Sequence, residues 1–396
     1  MGRLIGFILS LLLNLNLFSG NLNININQTF GQNCVSTKIN YEIPPRVMFV
    51  GSTQEIIAFE TSVMTRAQIS YGENYPLENK IISADAQQEH QFILDKLQPD
   101  KKYQYQIKLL NNNYCDESFS SFFYTYDAAD NKFSFVVFGD SAPEDKSSTA
   151  EILKKLSPQI LASNPNFIIT VGDNAYVYDA DDLKEIKKSW LIFFNAAREL
   201  IQSIPMFATA GNHDETDQET AYKYYQKVWL NPKIEEASMS RLDELAYKFQ
   251  YGNSLFIILN SEELGKESQI TGAQLEWLKK TLNNDQVKYK FIFSHKPFLN
   301  SSRSSKIKNS DEFHQLFLEN KVTAVFTGHD HFFCDYQKDG IYYITTGGAA
   351  PKIYTGYCTG EEIKTNHFLS INVDKDKITL TAINEFGNIV KEIKIK

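Results

Sequence analysis

The sequence has few basic residues, few cysteines and no long apolar run beyond its N-terminus. Its 396 residues carry 40 Lys+Arg against 48 Asp+Glu, a formal net charge of −8, and no basic stripe interleaved with aromatic residues. This balance argues against nucleic acid, or any other polyanion, as a partner. After residue 20 no stretch is long and apolar enough to span a bilayer, so we expect no membrane span in the mature chain.

The one strongly apolar segment is the N-terminus. Residues 1–20 read MGRLIGFILSLLLNLNLFSG, in which one Arg precedes an apolar core and small residues follow it. This order is typical of a secretory signal peptide. The alternative is a membrane anchor, but the apolar stretch is short and is interrupted by Asn14 and Asn16. We therefore expect secretion, or delivery to a lysosome-like compartment.

The four cysteines are an even number, which suits an oxidising compartment. They could pair in three ways. The local choice joins Cys34 to Cys115 and Cys334 to Cys358, and the alternative is that they are free buried thiols. Sequons at Asn27 and Asn300 predict N-glycosylation, although either could remain unused.

Two kinds of pattern divide the chain, and no internal repeat or low-complexity linker is present. Residues 43–128 consist of short alternating segments, such as EIIAFETS and AQISYG, which predict a β-sandwich. From residue 131 to residue 396 apolar strands alternate with amphipathic helices, one of them beginning with a capping-box pattern at Thr271 and Gln274. The predicted fold class is α/β, with an N-terminal β-sandwich followed by a layered α/β domain.

Five of the predicted apolar strands end on residues that can bind metals. In a layered α/β domain the carboxyl ends of the strands meet at one edge, where ligands bind. Carboxylates and imidazoles together suit divalent or trivalent metals, and so many of them would repel one another without a cation. Two metals about 3.5–4 Å apart, sharing one carboxylate, would accommodate the set. The five motifs are Gly139-Asp140, Gly172-Asp173-Asn174-Ala175-Tyr176, Gly211-Asn212-His213-Asp214, Ser294-His295 and Gly328-His329-Asp330-His331.

The order of these motifs resembles that of the metallophosphoesterases and, more narrowly, of the purple acid phosphatases. The resemblance implies a four-layer α/β/β/α metallophosphoesterase domain, and the larger members of that family also carry an N-terminal fibronectin type III-like domain. Ordinary metallophosphoesterases take an imidazole from the first motif, where this chain has Ala142. Tyr176, three residues after Asp173, is available instead.

The resemblance also implies a ligand set. A free phenol has a pKa near ~10 and is a poor ligand in acid, but a hard trivalent cation binds the phenolate. The alternative is that Tyr176 is a packing aromatic. The implied centre holds Fe(III) and a divalent metal (Zn, Fe or Mn), with Asp173 bridging the two ions. The implied ligands are Asp140, Tyr176 and His331 for Fe(III), and Asn212, His295 and His329 for the divalent metal.

The function implied by the resemblance is that of a secreted acid phosphatase acting on small phosphate monoesters. A metal-bound hydroxide would attack phosphorus, and His213 would protonate the leaving alkoxide, unless it only hydrogen-bonds beside the ligands. Asn212 and His213 would bind substrate, with Arg303 or Lys296 contacting phosphate by charge. The alternatives are a phosphodiesterase or nucleotidase on the same metals, and a catalytically inert binding protein whose working part is the sandwich.

Overall fold

The computed structural model describes residues 40–49, 51–110, 118–127, 131–143, 150–177, 180, 182–214, 219–232, 245–263, 266–301 and 306–395. Five elements of the sequence-based predictions lie outside these residues: the signal peptide, Cys34, Cys115, Asn27 and Arg303. The predicted domain limits stay predictions.

The N-terminal region is built on one strand of 18 residues, β2. The first half of β2 pairs with β1 and β4, its second half pairs with β3 and β5, and β6 pairs with β5. The sequence predicts two strands where the structure has β2, because Ser62 is a turn-type residue. Residues 63–66 stay extended, and the pairing with β4 is irregular between Glu60 and Thr65. The strands are β1 (Tyr41–Phe49), β2 (Glu55–Gly72), β3 (Asn79–Ile82), β4 (Gln87–Leu94), β5 (Lys102–Leu110) and β6 (Ser118–Tyr124).

Two further sheets follow. One has six strands in the order β19-β18-β17-β7-β8-β9, and the other has seven in the order β10-β11-β12-β13-β15-β14-β16. Strands β7, β8 and β9 run parallel, as do β11, β12, β13 and β15. Their bounds are β7 (Lys132–Phe138), β8 (Phe167–Thr170), β9 (Met206–Ala208), β10 (Tyr247–Tyr251), β11 (Ser254–Ile258), β12 (Tyr289–Ser294), β13 (Ala324–Thr327), β14 (Phe333–Lys338), β15 (Ile341–Thr346), β16 (Glu361–Ile363), β17 (His367–Asp374), β18 (Lys377–Asn384) and β19 (Ile389–Lys394).

Helices cover the outer face of each sheet. An aromatic core fills the space between the sheets, where Phe135 stacks on Phe167 at 5.4 Å and meets the edge of Phe256 at 5.2 Å. The predicted four-layer α/β/β/α fold is therefore confirmed. Among the described residues, no helix combines the length and the apolar character needed to cross a membrane. The six-stranded sheet packs against α1 (Glu151–Ala162), α2 (Leu183–Ala196), α3 (Arg198–Ile201) and α4 (Glu219–Trp229), and the seven-stranded sheet against α5 (Gly272–Leu282) and α6 (Ser310–Glu319).

The N-terminal strands pack on the helices that cover the six-stranded sheet. Ile43 of β1 belongs to the same buried apolar cluster as Trp190 of α2. Glu60 of β2 is buried and lies 3.3 Å from the ammonium of Lys187 and 3.1 Å from that of Lys227. Apolar packing and a shared carboxylate therefore join β1 and β2 to α2 and α4.

The segment after the last predicted motif is held by a disulfide between Cys334 and Cys358, as the sequence predicts. Asn300 is buried close to this disulfide, with only 4% of its surface exposed. Its amide nitrogen donates to Thr345 Oγ1 at 2.7 Å and to the carbonyl of Tyr343 at 3.2 Å. Because a glycan would be attached to this nitrogen, its burial argues against the glycosylation predicted at Asn300.

Candidate metal centre

The five motifs lie at the carboxyl ends of parallel strands. Asp140 follows β7, Asp173 follows β8, Asn212 follows β9, His295 follows β12 and His329 follows β13. The backbone φ angles of Asp140, Asp173 and His329 are 63°, 51° and 65°, in the left-handed region that ordinary residues rarely adopt. Such strain persists only where the surrounding structure imposes it, and it is concentrated at functional sites.

Asn212, His295 and His329 meet in one half of the site. Asn212 Oδ1 lies 3.0 Å from His295 Nε2 and 2.9 Å from His329 Nδ1, and the two ring nitrogens are 3.2 Å apart. Asp173 Oδ1 completes the group, 3.3 Å from His295 Nε2. Asp173, His295 and His329 offer ligand atoms that all lie within 4.8 Å of one another. Nitrogen and oxygen atoms converging in this way fit a divalent metal.

Asp140 and His331 form the other half. The buried Asp140 Oδ1 faces His331 Nε2 at 3.5 Å, longer than a good charge-assisted hydrogen bond. The other carboxylate oxygen accepts the backbone N–H of His329 at 3.1 Å. Among the described residues the buried Oδ1 has only the long contact with His331, which fits a second cation held by the carboxylate and the imidazole together.

Asp173 contacts the first half through His295, and its charge also raises the pKa of His331 in the second half. Its Oδ1 accepts the backbone N–H of His213 at 2.9 Å, and its Oδ2 is 3.8 Å from the Nε2 of the same residue. Burial alone would raise the pKa of Asp173, but His295 and His213 hold it well below the ordinary value.

The electrostatics of His295 report an excess of negative charge. Burial alone would lower the pKa of this imidazole, yet the nearby carboxylates, that of Asp173 foremost, raise it to about 10. The same balance raises the pKa of His331, where burial is opposed by Asp140 and Asp173. Carboxylates that favour the protonated form of two imidazoles indicate an excess of negative charge, which metal cations would neutralise in place of protons.

His213 and Tyr176 stack at the edge of the site. Their ring centroids are 5.1 Å apart with an interplanar angle of 22°, and the His213 side chain is 35% exposed. The structure thus brings Tyr176 to the site through His213. Coordination of iron by Tyr176, beside Asp140 and His331, stays a prediction.

Comparison with known families agrees with this geometry. The model of the family described as calcineurin-like phosphoesterase matches residues 133–333, which is half of the chain. The chain belongs to the calcineurin-like phosphoesterases. The family, together with the purple acid phosphatase relatives, implies a binuclear metal centre.

Individual relatives narrow the resemblance. The chain is 23% identical over 290 residues to tartrate-resistant acid phosphatase type 5 of Rattus norvegicus, covering 64% of this chain and 87% of that one. A solved purple acid phosphatase, PPD1 from yellow lupin (Lupinus luteus) seeds, matches with a TM-score of 0.68 at 15% identity over 88% of this chain and 73% of that one. PhoD matches with a TM-score of 0.64 at 12% identity, over 90% and 93%. The predicted resemblance to the purple acid phosphatases is confirmed.

One residue of this phosphoesterase site, Asp214, has a role that sequence reasoning missed. Its carboxylate accepts the backbone N–H groups of Asn174 at 2.7 Å, Ala175 at 2.8 Å and Gly211 at 3.0 Å. It therefore ties the second motif to the third. Burial and the charge of Asp173 raise the pKa of Asp214 to about 7. The only signal in the sequence is its position directly after Asn212 and His213.

Lys296 is paired with a buried carboxylate. It follows His295 directly, but it is buried and its ammonium lies 2.9 Å from Glu262 Oε2. This buried ion pair argues against the suggested contact between Lys296 and substrate phosphate, which stays a prediction. The corresponding prediction for Arg303 concerns a residue outside the described part of the chain.

Proposed function

We propose that this phosphoesterase is a secreted acid phosphatase that hydrolyses small phosphate monoesters at a centre of Fe(III) and a divalent metal (Zn, Fe or Mn). The observation that carries the proposal is the position of Asp173. Its carboxylate contacts His295 of the Asn212, His295 and His329 cluster, and its charge also acts on His331, which faces Asp140. That arrangement is what two cations sharing one ligand require.

Each metal would have its own group of residues. Asn212, His295 and His329 would hold the divalent metal, and Asp140, His331 and Tyr176 would hold iron, with Asp173 common to both. When bound, the two ions would lower the pKa of water in the site and offset the charge that builds on the phosphoryl group. The Tyr176 phenolate is the part of this assignment that specifies a trivalent ion.

His213 is the residue suited to proton transfer. It is partly exposed, whereas His295 is fully buried, so it can reach a substrate that enters from solvent. Its contacts with Asp173 and with the Tyr176 ring fix the imidazole in place. In its protonated form it would donate a proton to the leaving alkoxide oxygen, so that the product leaves as a neutral alcohol.

Export is the second part of the proposal. It is supported by the signal-peptide pattern of residues 1–20 and by the disulfide between Cys334 and Cys358, since disulfides persist mainly in oxidising compartments. Expression in a eukaryotic host should give protein in the medium that begins after residue 20 or close to it. N-terminal sequencing checks this, and a cell-retained product that still begins at Met1 would contradict export.

The enzymatic part is tested with two synthetic esters. The purified protein, assayed for metal content, is given p-nitrophenyl phosphate and bis(p-nitrophenyl) phosphate at pH 5. We expect about two metal ions per chain and hydrolysis of the monoester at least tenfold faster than of the diester, a free-energy difference of about 1.4 kcal/mol. Asp173→Asn should abolish both activities, whereas Asp182→Asn, at the start of α2, is the matched control and should keep them.

Each other outcome has a definite meaning. Faster hydrolysis of the diester would contradict the proposed monoesterase activity and would indicate a phosphodiesterase that uses the same metal centre. Two bound metals with neither activity would support an inert binding protein.

A further inference from the structure

His331 is the ligand whose orientation is fixed by a neighbouring ring. The Tyr354 side chain lies flat against its imidazole, with ring centroids 4.5 Å apart and an interplanar angle of 7°. We propose that Tyr354 is a positioning residue that holds His331 toward Asp140 and thereby determines how tightly one of the two metals is bound. This inference rests on the proposed metal centre.

Backbone contacts orient the same imidazole. His331 Nδ1 donates to the carbonyl of Lys352 at 3.1 Å, which leaves Nε2 directed at Asp140. The backbone N–H of Tyr354 donates to the carbonyl of His331 at 2.7 Å, so the two residues are also joined through the main chain. A metal-binding histidine is commonly held by such a carbonyl on its second nitrogen.

Burial does not supply the same restraint at His331 as at His295. The His295 side chain is 0% exposed and its Nδ1 faces the carbonyl of Val171 at 2.9 Å, so packing holds that ring from every side. The His331 side chain is 21% exposed, at the rim of the site. A flat aromatic ring against one face of the imidazole restricts its rotation where solvent would otherwise allow it.

The segment that carries Tyr354 is itself tethered. Cys358, four residues after Tyr354, is bonded to Cys334, three residues after His331. The backbone N–H of Gly356 donates to Glu362 Oε1 at 2.8 Å, and that of Thr359 donates to the carbonyl of Asn300 at 3.3 Å. His331 and Tyr354 thus lie in two stretches of chain that the disulfide joins. The disulfide therefore restricts where the Tyr354 ring can lie relative to the His331 imidazole before any metal binds.

The simpler alternative is that Tyr354 only fills space, and the choice of substitutions separates the two. Tyr354→Phe keeps the flat ring. Tyr354→Leu keeps apolar bulk without a flat face, and Tyr354→Ala removes both. Tyr357→Ala is the control, because Tyr357 belongs to the same segment and is 44% exposed. The metal content of each protein is measured by elemental mass spectrometry at intervals during dialysis against EDTA, which gives the rate of metal loss.

We expect Tyr354→Ala and Tyr354→Leu to lose one of two metals about 10–100-fold faster than the wild type, the range typical of residues that support a metal ligand. Tyr354→Phe and Tyr357→Ala should stay within about twofold of the wild type, since neither change removes the ring that covers His331. If Tyr354→Ala does not fold, Tyr354→Leu alone decides, because its bulk preserves the packing.

Failure of this inference differs from failure of the proposed function. A wild-type protein with two metals and monoesterase activity, together with a Tyr354→Leu variant that loses metal no faster, would overturn the role of Tyr354 and leave the phosphatase intact. A wild-type protein that binds no metal pair would overturn both.

Discussion

Asp214 binds Asn174 with both of its carboxylate oxygens. Oδ1 accepts the backbone N–H at 2.7 Å, and Oδ2 accepts the side-chain amide at 3.0 Å. Asn174 follows Asp173 directly, so this contact fixes the backbone from which the shared carboxylate projects.

The first prediction concerns Asp214→Ala. The change leaves buried N–H groups of Asn174, Ala175 and Gly211 without their acceptor, which should cost about 1–3 kcal/mol of unfolding free energy. It should also lower phosphatase turnover about 10–100-fold by releasing Asp173. Urea unfolding and a monoester assay check both effects. Asp182→Ala is the control, since it removes the N-cap of α2, where the Asp182 carboxylate accepts the backbone N–H of Glu185. It should lower the unfolding free energy by about 1 kcal/mol without changing turnover. Equal effects of the two variants would contradict the role of Asp214.

Asn212→Ala removes the amide oxygen that faces both His295 and His329. We expect the divalent metal to be bound about 10–100-fold more weakly, and turnover to fall correspondingly at limiting metal. Metal titration followed by activity measures this. Asn284→Ala, in an exposed turn far along the chain, provides the matched control. Normal turnover at limiting zinc would remove Asn212 from the ligand set.

Tyr176→Phe tests the identity of the trivalent metal. The phenyl ring can still stack on His213, so the fold should be preserved. We expect the wild type, loaded with iron, to show a visible absorption band from phenolate-to-Fe(III) charge transfer, and the variant to lose it. A band that persists at full iron content would show that another group gives rise to it.

We expect the buried His367 to make the unfolding free energy decrease in acid. Burial lowers its pKa to about 4, against the opposing hydrogen bond to the carbonyl of Thr365. An unfolded histidine titrates near ~6.5, so the unfolded chain takes up the proton first as the pH falls. The contribution is complete above about pH 6.5 and is lost as the pH falls toward about 4, with a loss of about 2–3 kcal/mol by pH 4.5.

His367→Gln removes this titration. The drop in unfolding free energy between pH 7 and pH 4.5, measured in metal-depleted protein, should be smaller than in the wild type by about 2–3 kcal/mol. Parallel pH dependences of the two proteins would show that His367 does not contribute.

The sequence predicts which residues meet in this site because chain direction and strand order settle that question. Apolar strands ending on Asp140, Asp173 and His329 deliver these side chains to one sheet edge. Periodicity carries no information about Tyr354, which lies in an irregular segment, and its contact with His331 depends on where a disulfide holds the chain. Long-range packing of that kind has no local signature.

One local prediction differs from the structure for an identifiable reason. Gln274 has capping-box spacing from Thr271, but its side chain binds the backbone N–H and carbonyl of Asn260 at 2.8 and 3.0 Å. The Gln274 side chain thus binds a buried backbone N–H and carbonyl instead of the backbone at the start of the helix. Gly211, directly before Asn212, has no room for a side chain, because a Cβ there would overlap the backbone nitrogen and Oδ1 of Asp173.

The contact of Ile43 and Glu60 with helices α2 and α4 bears on whether the catalytic half is an autonomous module. A chain truncated to begin at residue 131 would expose the apolar helix surface around Trp190. It would also remove Glu60, the β2 carboxylate that pairs with the Lys187 and Lys227 ammonium groups. Such a fragment would be prone to self-association. The N-terminal strands therefore cover apolar and charged surface of the helices that follow them, and the phosphoesterase domain is best produced together with them.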